Sequence, residues 1–259
     1  MRKLIVIGLA VGGFMLVTQV AFGAVTSTLE VVPRPNKAST KKKVRPITLE
    51  INVATNDPAA TQPPPLKRVV IRFNKGGQFN GKLFPKCSFS KLQAQGPSAC
   101  PKGSKVGSGT ATASAKPIID LVNAKVTVYN GEPKGGVPTV LLYNVPDISS
   151  PIVVQGTVAK KGAVSCAGGK GQCDYVLTFD VPLIPTLPNA PPASVLSVKT
   201  KTSQVFIKKK KKVKGKRRTV KIPYIGAPKE CKGNWVADLN ITFQDGQTST
   251  SEASLPCKK

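Results

Sequence analysis

The stretch Cys100-Pro101-Lys102-Gly103-Ser104-Lys105-Val106-Gly107-Ser108-Gly109-Thr110-Ala111-Thr112-Ala113 decides how this chain is read. Its opening, a cysteine followed by proline and then glycine, spells a turn. From Lys105 onward the residues are mostly small or β-branched and suit a pleated sheet. Upstream, residues 79–87 (Phe-Asn-Gly-Lys-Leu-Phe-Pro-Lys-Cys) read as a loop with a cysteine of its own. Further upstream, residues 47–53 alternate at period two, 57–65 form a proline-rich loop, and 68–73 are the next strand. Downstream, residues 125–129 alternate Lys-Val-Thr-Val-Tyr and meet Asn130-Gly131, a strong hairpin signal. Residues 137–145 and 152–160 continue the series. Tyr175, Leu177, Phe179 and Val181 then share one face. So do Trp235, Ala237, Leu239, Ile241 and Phe243, ahead of an Asp245-Gly246 turn and a returning strand over 247–255. Beyond residue 23 no helical period persists over ten positions. With 23 glycines and 23 prolines as punctuation, the class is all-β, an antiparallel sandwich in preference to a barrel.

Residues 1–23 have the pattern of a signal peptide: Arg2 and Lys3, an apolar run over 4–17, then Ala21-Phe22-Gly23, with cleavage expected before Ala24. The run is short for a membrane span, which needs about 20 apolar residues, and no later segment is apolar enough. An exported, soluble mature chain is expected, extracellular or envelope-associated. Residues 24–43 read as a flexible basic lead-in, and 44–259 as the β domain. The prolines over 182–192 mark a possible sub-boundary.

Thirty-nine Lys and Arg against 12 Asp and Glu give a net charge of +27, or +25 once Arg2 and Lys3 leave. Such a chain is drawn to polyanions. Lysine outnumbers arginine 32 to 7, which favours diffuse attraction over bidentate readout. Aromatics at 5% offer little base stacking, so specific nucleic-acid recognition is not expected. Six cysteines, Cys87, Cys100, Cys166, Cys173, Cys231 and Cys257, suit an oxidising compartment. With no histidine and no Cys-x-x-Cys, zinc is disfavoured and disulfides are expected. Spacing pairs them locally as Cys87–Cys100, Cys166–Cys173 and Cys231–Cys257. A hairpin centred on Asp245-Gly246 brings residue 234 near Cys257, within reach of Cys231 after a short bend.

Gly103 to Thr110 lacks the Gly-Lys-Ser/Thr ending and following helix of a phosphate loop. Ser88-Phe89-Ser90-Lys91 matches Ser-x-x-Lys without its companion motifs. Absence of histidine removes Ser-His and Cys-His catalysis. A secreted hydrolase with a carboxylate pair is the alternative function, although Asp57, Asp147 and Asp245 sit in turns and Asp174 and Asp180 lie six residues apart. No catalytic residue, metal or cofactor is assigned. The functional-looking segment is 208–218, nine basic residues in eleven: Lys208, Lys209, Lys210, Lys211, Lys212, Lys214, Lys216, Arg217 and Arg218. It reads as the tip of a hairpin with arms over 195–207 and 219–222. It is expected either to contact anionic envelope polymers or a lipid surface, or only to keep the protein soluble.

One ordered set of motifs runs from Phe79 to Cys257. It comprises Phe-x-Gly before Cys87, Cys100-Pro-x-Gly-Ser-Lys-Val-Gly, the lysine-rich hairpin, Tyr224, Pro228-x-x-Cys231-x-Gly-x-Trp235, Asp245-Gly246 and Pro256-Cys257. This set resembles a group of poorly characterised exported β-sandwich proteins of high-G+C Gram-positive bacteria. The resemblance implies an immunoglobulin-like or similar fold and export. It brings no activity, cofactor or active site. Cys166 and Cys173 lie outside the pattern, so their pairing rests on spacing alone.

Overall fold

A computed structural model describes residues 24–40, 43–147, 149–166, 172–186, 191–213, 216–230 and 233–258. Its strands, with one short helix, are β1 (Thr26–Arg34), β2 (Thr48–Asn56), β3 (Leu66–Asn74), β4 (Gln78–Phe79), α1 (Phe89–Gln95), β5 (Lys105–Ala115), β6 (Ile119–Lys134), β7 (Val137–Pro146), β8 (Ile152–Ser165), β9 (Gln172–Asp180), β10 (Ser194–Thr202), β11 (Phe206–Val213), β12 (Lys216–Pro223), β13 (Ile225–Gly226), β14 (Asn234–Phe243) and β15 (Thr248–Pro256). No described helix is long and apolar enough to cross a membrane.

Eleven strands form one sheet in the order β1-β2-β10-β5-β6-β7-β8-β9-β3-β14-β15, and neighbouring strands pair antiparallel throughout. Its two edges come round to each other, with the Ser27 and Ser249 hydroxyls 2.9 Å apart. The chain is therefore all-β, antiparallel and disulfide-stapled. It is arranged as a large, nearly closed barrel-like sheet, where the sequence favoured two separate layers. From β5 to β9 each strand pairs with the next in sequence, and the sequence-distant strands β10 and β3 then join this run to β2–β1 and to β14–β15 in one ladder. Strands on both sides of the proline-rich 182–192 segment belong to this one sheet.

Alternation sets the interior. Leu239, Ile241 and Phe243 of β14 are wholly buried, packed with Val69 and Ile71 of β3 and Phe179 of β9. Each such side chain contributes about 1.5–3 kcal/mol by leaving water. Gly156 of β8 leaves the room that the Phe179 ring fills, because a Cβ there would overlap that ring. On the outer face, α1 inserts Leu92 between Cys87, Leu141 and Tyr143, forming a second small core.

Three local expectations are corrected. Residues 26–34, expected within the flexible lead-in, form β1 and pair with β2 along their whole length. Thr28, Glu30 and Val32 alternate there with Leu29, Val31 and Pro33, and Pro33 is tolerated because this is an edge strand. The expected turn at Asn130-Gly131 lies five residues later. β6 runs through to Lys134, and Gly135 and Gly136, both at positive φ (57° and 78°), make the turn. Lastly, residues 195–207 are not one hairpin arm. β10 is a barrel strand, and the lysine run itself forms the arms β11 and β12.

Candidate functional site

Among the described residues β11 and β12 pair only with each other, as a two-stranded ribbon outside the barrel sheet. Its root is fixed by the residue after β12. Tyr224 is 1% exposed and takes the edges of Phe79 and Phe84, each with centroids 5.1 Å away. Its hydroxyl donates to Asn130 Oδ1 at 3.2 Å, while Asn130 Nδ2 donates to the carbonyls of Gly81 at 3.0 Å and Pro85 at 2.9 Å. Burial pushes the phenol pKa strongly upward, so Tyr224 stays a neutral donor. This use of its side chain is why Asn130 does not make a turn. Gly131 beside it has no room for a Cβ against Thr139 and Leu141.

Along the ribbon the register opposes like charges. Lys208 faces Lys221, Lys211 faces Arg218 and Lys212 faces Arg217. Opposite residues on an antiparallel pair stand about 4.5–5.5 Å apart at Cβ, and like charges there repel. Lys208, Lys209, Lys210, Arg217, Arg218 and Lys221 are exposed. No residue between Asp180 and Glu230 is acidic. Lys216 pairs in register with Val213, and Lys214 lies outside the described residues. The backbone thus carries the expected basic cluster as paired rungs rather than as a loose tip.

Cys87–Cys100 and Cys166–Cys173 are disulfides, with Cα separations of 4.8 and 5.3 Å. Cys257 is disulfide-bonded, and its expected partner Cys231 lies outside the described residues. Cys166, Cys173 and Asp238 converge within 4.8 Å, but the disulfide leaves no thiolate to ligate a metal. Gly103, at φ 86°, makes the turn into β5, as the strand reading of that stretch requires. Ser88 precedes α1, and its hydroxyl lies 3.1 Å from that of Ser90.

Five of the twelve carboxylates make contacts that hold the framework. Asp238 is buried and ion-paired with Arg72 at 2.8 Å. Asp174 accepts the Gly76 amide at 3.1 Å, and Asp180 meets Arg68 at 3.3 Å. Asp174 and Asp180 sit at opposite ends of β9, roughly 20 Å apart along the strand. Asp57 and Asp245 accept from the backbone two residues ahead.

A second feature was not read from the sequence. The barrel encloses a cavity of about 330 Å³, walled almost wholly by carbon and partly open to solvent. Its signal was the run of small residues in the opening stretch, which places Ala111 and Ala113 on the cavity wall. No family model, curated protein or solved structure matches this chain.

Proposed function

We propose that this is an exported, non-enzymatic β protein that associates with the cell envelope by binding anionic polymers along the β11–β12 ribbon. The observation that carries the reading is the register: three rungs of like charge face each other with no acidic residue near in sequence. Such a ribbon is under electrostatic tension that salt screens and that a polyanion, by bringing phosphates or carboxylates alongside, relieves. Lysine-rich contact of this kind is diffuse and sequence-blind. The residue pattern over 1–23 and the disulfides support export.

The test compares the mature chain with a variant changing Lys208 to Lys212 to Gln, against duplex DNA, a sulfated glycan and a phosphodiester-linked glycan across a salt series. If about five charges engage the DNA, the log–log salt slope is near −4 to −5. It flattens in the variant while the circular dichroism spectrum stays unchanged. Equal binding by both proteins at every salt concentration refutes the reading.

A further inference from the structure

Side chains just fill a barrel of about eight strands, and a wider one leaves space. Here eleven strands surround the interior, and the composition of one wall enlarges that space. On β5, β6 and β10 small residues, Ala111, Ala113, Ala124 and Thr200, line the cavity between the larger Val122, Val128, Val195 and Val198. Ala111 and Ala124 are direct cross-strand partners, so two methyl groups stand where two large side chains could meet. The opposite wall carries Ile71, Val154, Leu177 and Phe179.

The lining extends along the strands. It reaches Lys37 and Trp235 at one end and Pro185 and Ala193 at the other. On β2 alone it runs from Leu49 to Thr55, roughly 20 Å along the strand. A volume of about 330 Å³ spread over that length makes a narrow channel rather than a round pocket. Its size falls in the range of small-molecule sites, about 300–1,000 Å³. Water gains little from such walls, since a buried water needs two to four polar partners. An empty void of this size destabilises a packed interior in proportion to its volume. A single alkyl chain matches both the walls and the shape; a fused ring system matches the walls but not the narrow shape.

Charge orients the guest. Among the described lining residues Lys37 is the one charged side chain, and no carboxylate lines the wall. Lys37 is exposed at its end of the channel, where Asn74, Gln78 and Trp235 add polar edges. We infer that the barrel binds an amphiphile with one long alkyl chain, its tail within the channel and its anionic head beside Lys37. This site is independent of the ribbon and uses none of its residues.

The chain supplies its own reporter. Trp235 is its single tryptophan, is 8% exposed and lines the Lys37 end. The delipidated mature protein is titrated with two spin-labelled stearates, one bearing its nitroxide near the carboxylate and one near the methyl end. Saturable one-to-one quenching of Trp235, several-fold stronger for the carboxylate-proximal label, is expected. So is competition by unlabelled palmitate. No saturable quenching by either probe overturns the site. Equal quenching, or stronger quenching by the methyl-end label, overturns the orientation. Two variants separate interior from surface uptake. Ala111→Leu with Ala124→Leu fills the channel and is expected to weaken binding at least tenfold without lowering the melting temperature. Ala113→Val is a milder filling should the pair fail to fold. A folded filled variant that binds as the parent does overturns the interior site. Lys37→Gln is expected to weaken stearate several-fold and leave its methyl ester unaffected; equal effects on both overturn the role of the charge.

Discussion

Asn130 shows what a residue-level reading can and cannot reach. Asn-Gly between alternating segments is a sound turn signal, because both residues tolerate positive φ. The competing demand is tertiary: Asn130 satisfies two loop carbonyls and the hydroxyl of Tyr224, residues distant in sequence. Nothing local announces those partners. Tyr224→Phe should therefore cost about 1–3 kcal/mol, because it leaves the buried Asn130 oxygen without its donor. Tyr224→Ala should cost about 3–5 kcal/mol, as for other large aromatic truncations. Urea midpoints at unchanged m-value measure both. Glycines of the opening stretch are equally exacting. A Cβ on Gly107 would lie 2.6 Å from the Lys201 carbonyl, and one on Gly109 would overlap the Lys199 carbonyl. Because those obstacles are backbone, Gly109→Ala is expected to disturb the β5–β10 seam, seen as accelerated amide exchange at 109–113 and 195–199. Glu50 adds a pH-dependent contact across β1, β2 and β10. Its hydrogen bond from Lys201, joined by the Arg34 and Lys201 charges and opposed by burial, holds its carboxyl below the ordinary 4.5. A depressed folded-state pKa adds stability that is complete above pH 4.5 and is lost as pH falls through the lowered value. Glu50→Gln should remove that part of the acid-side slope and cost no more than about 1 kcal/mol at neutral pH, as surface pairs do.

At the scale of the element, period two was legible wherever one face is buried, and it located β3, β9 and β14 directly from the sequence. It failed for β1, whose alternation is short and crowded by prolines and lysines that composition alone assigns to a flexible tail. It also failed to separate β10 from β11. Both are strand-like, and only the three residues 203–205 divide them, where Ser203 bonds back to Val106 and Tyr224 to Val205. The resulting ribbon carries its own prediction. Since its rungs repel, ribbon amides should exchange faster at low salt than at high salt, while barrel amides stay unchanged. Lys208→Glu converts the rung with Lys221 into an attractive pair and should slow exchange at that end of the ribbon at low salt. Salt-independent exchange in both proteins would mean the charges do not load the ribbon.

At the scale of the whole molecule, the class followed from many short alternating strands, but closure did not. A sandwich and a barrel both bury one face of every strand. What separates them is which strands share a ladder, here β10 inserted between β2 and β5 and β3 between β9 and β14. Those insertions are long-range pairings with no local mark. The pairs Cys87–Cys100 and Cys166–Cys173 were more legible, because short separations leave few partners within reach. They also differ in what they hold. Cys87–Cys100 spans 13 residues and carries α1, whose Leu92 is fully buried against Cys87 on the outer barrel wall. Cys166–Cys173 spans 7 residues and packs against Val236. Loop entropy alone separates the two by about 0.5 kcal/mol, within an overall range of about 2–4 kcal/mol for each. Loss of the α1 packing should widen the gap. Replacing Cys87 and Cys100 with Ala is thus expected to lower the urea midpoint more than replacing Cys166 and Cys173, with exchange at 89–95 rising only in the first variant. If the two pairs cost the same and α1 stays protected without its disulfide, Leu92 and its neighbours hold the helix unaided.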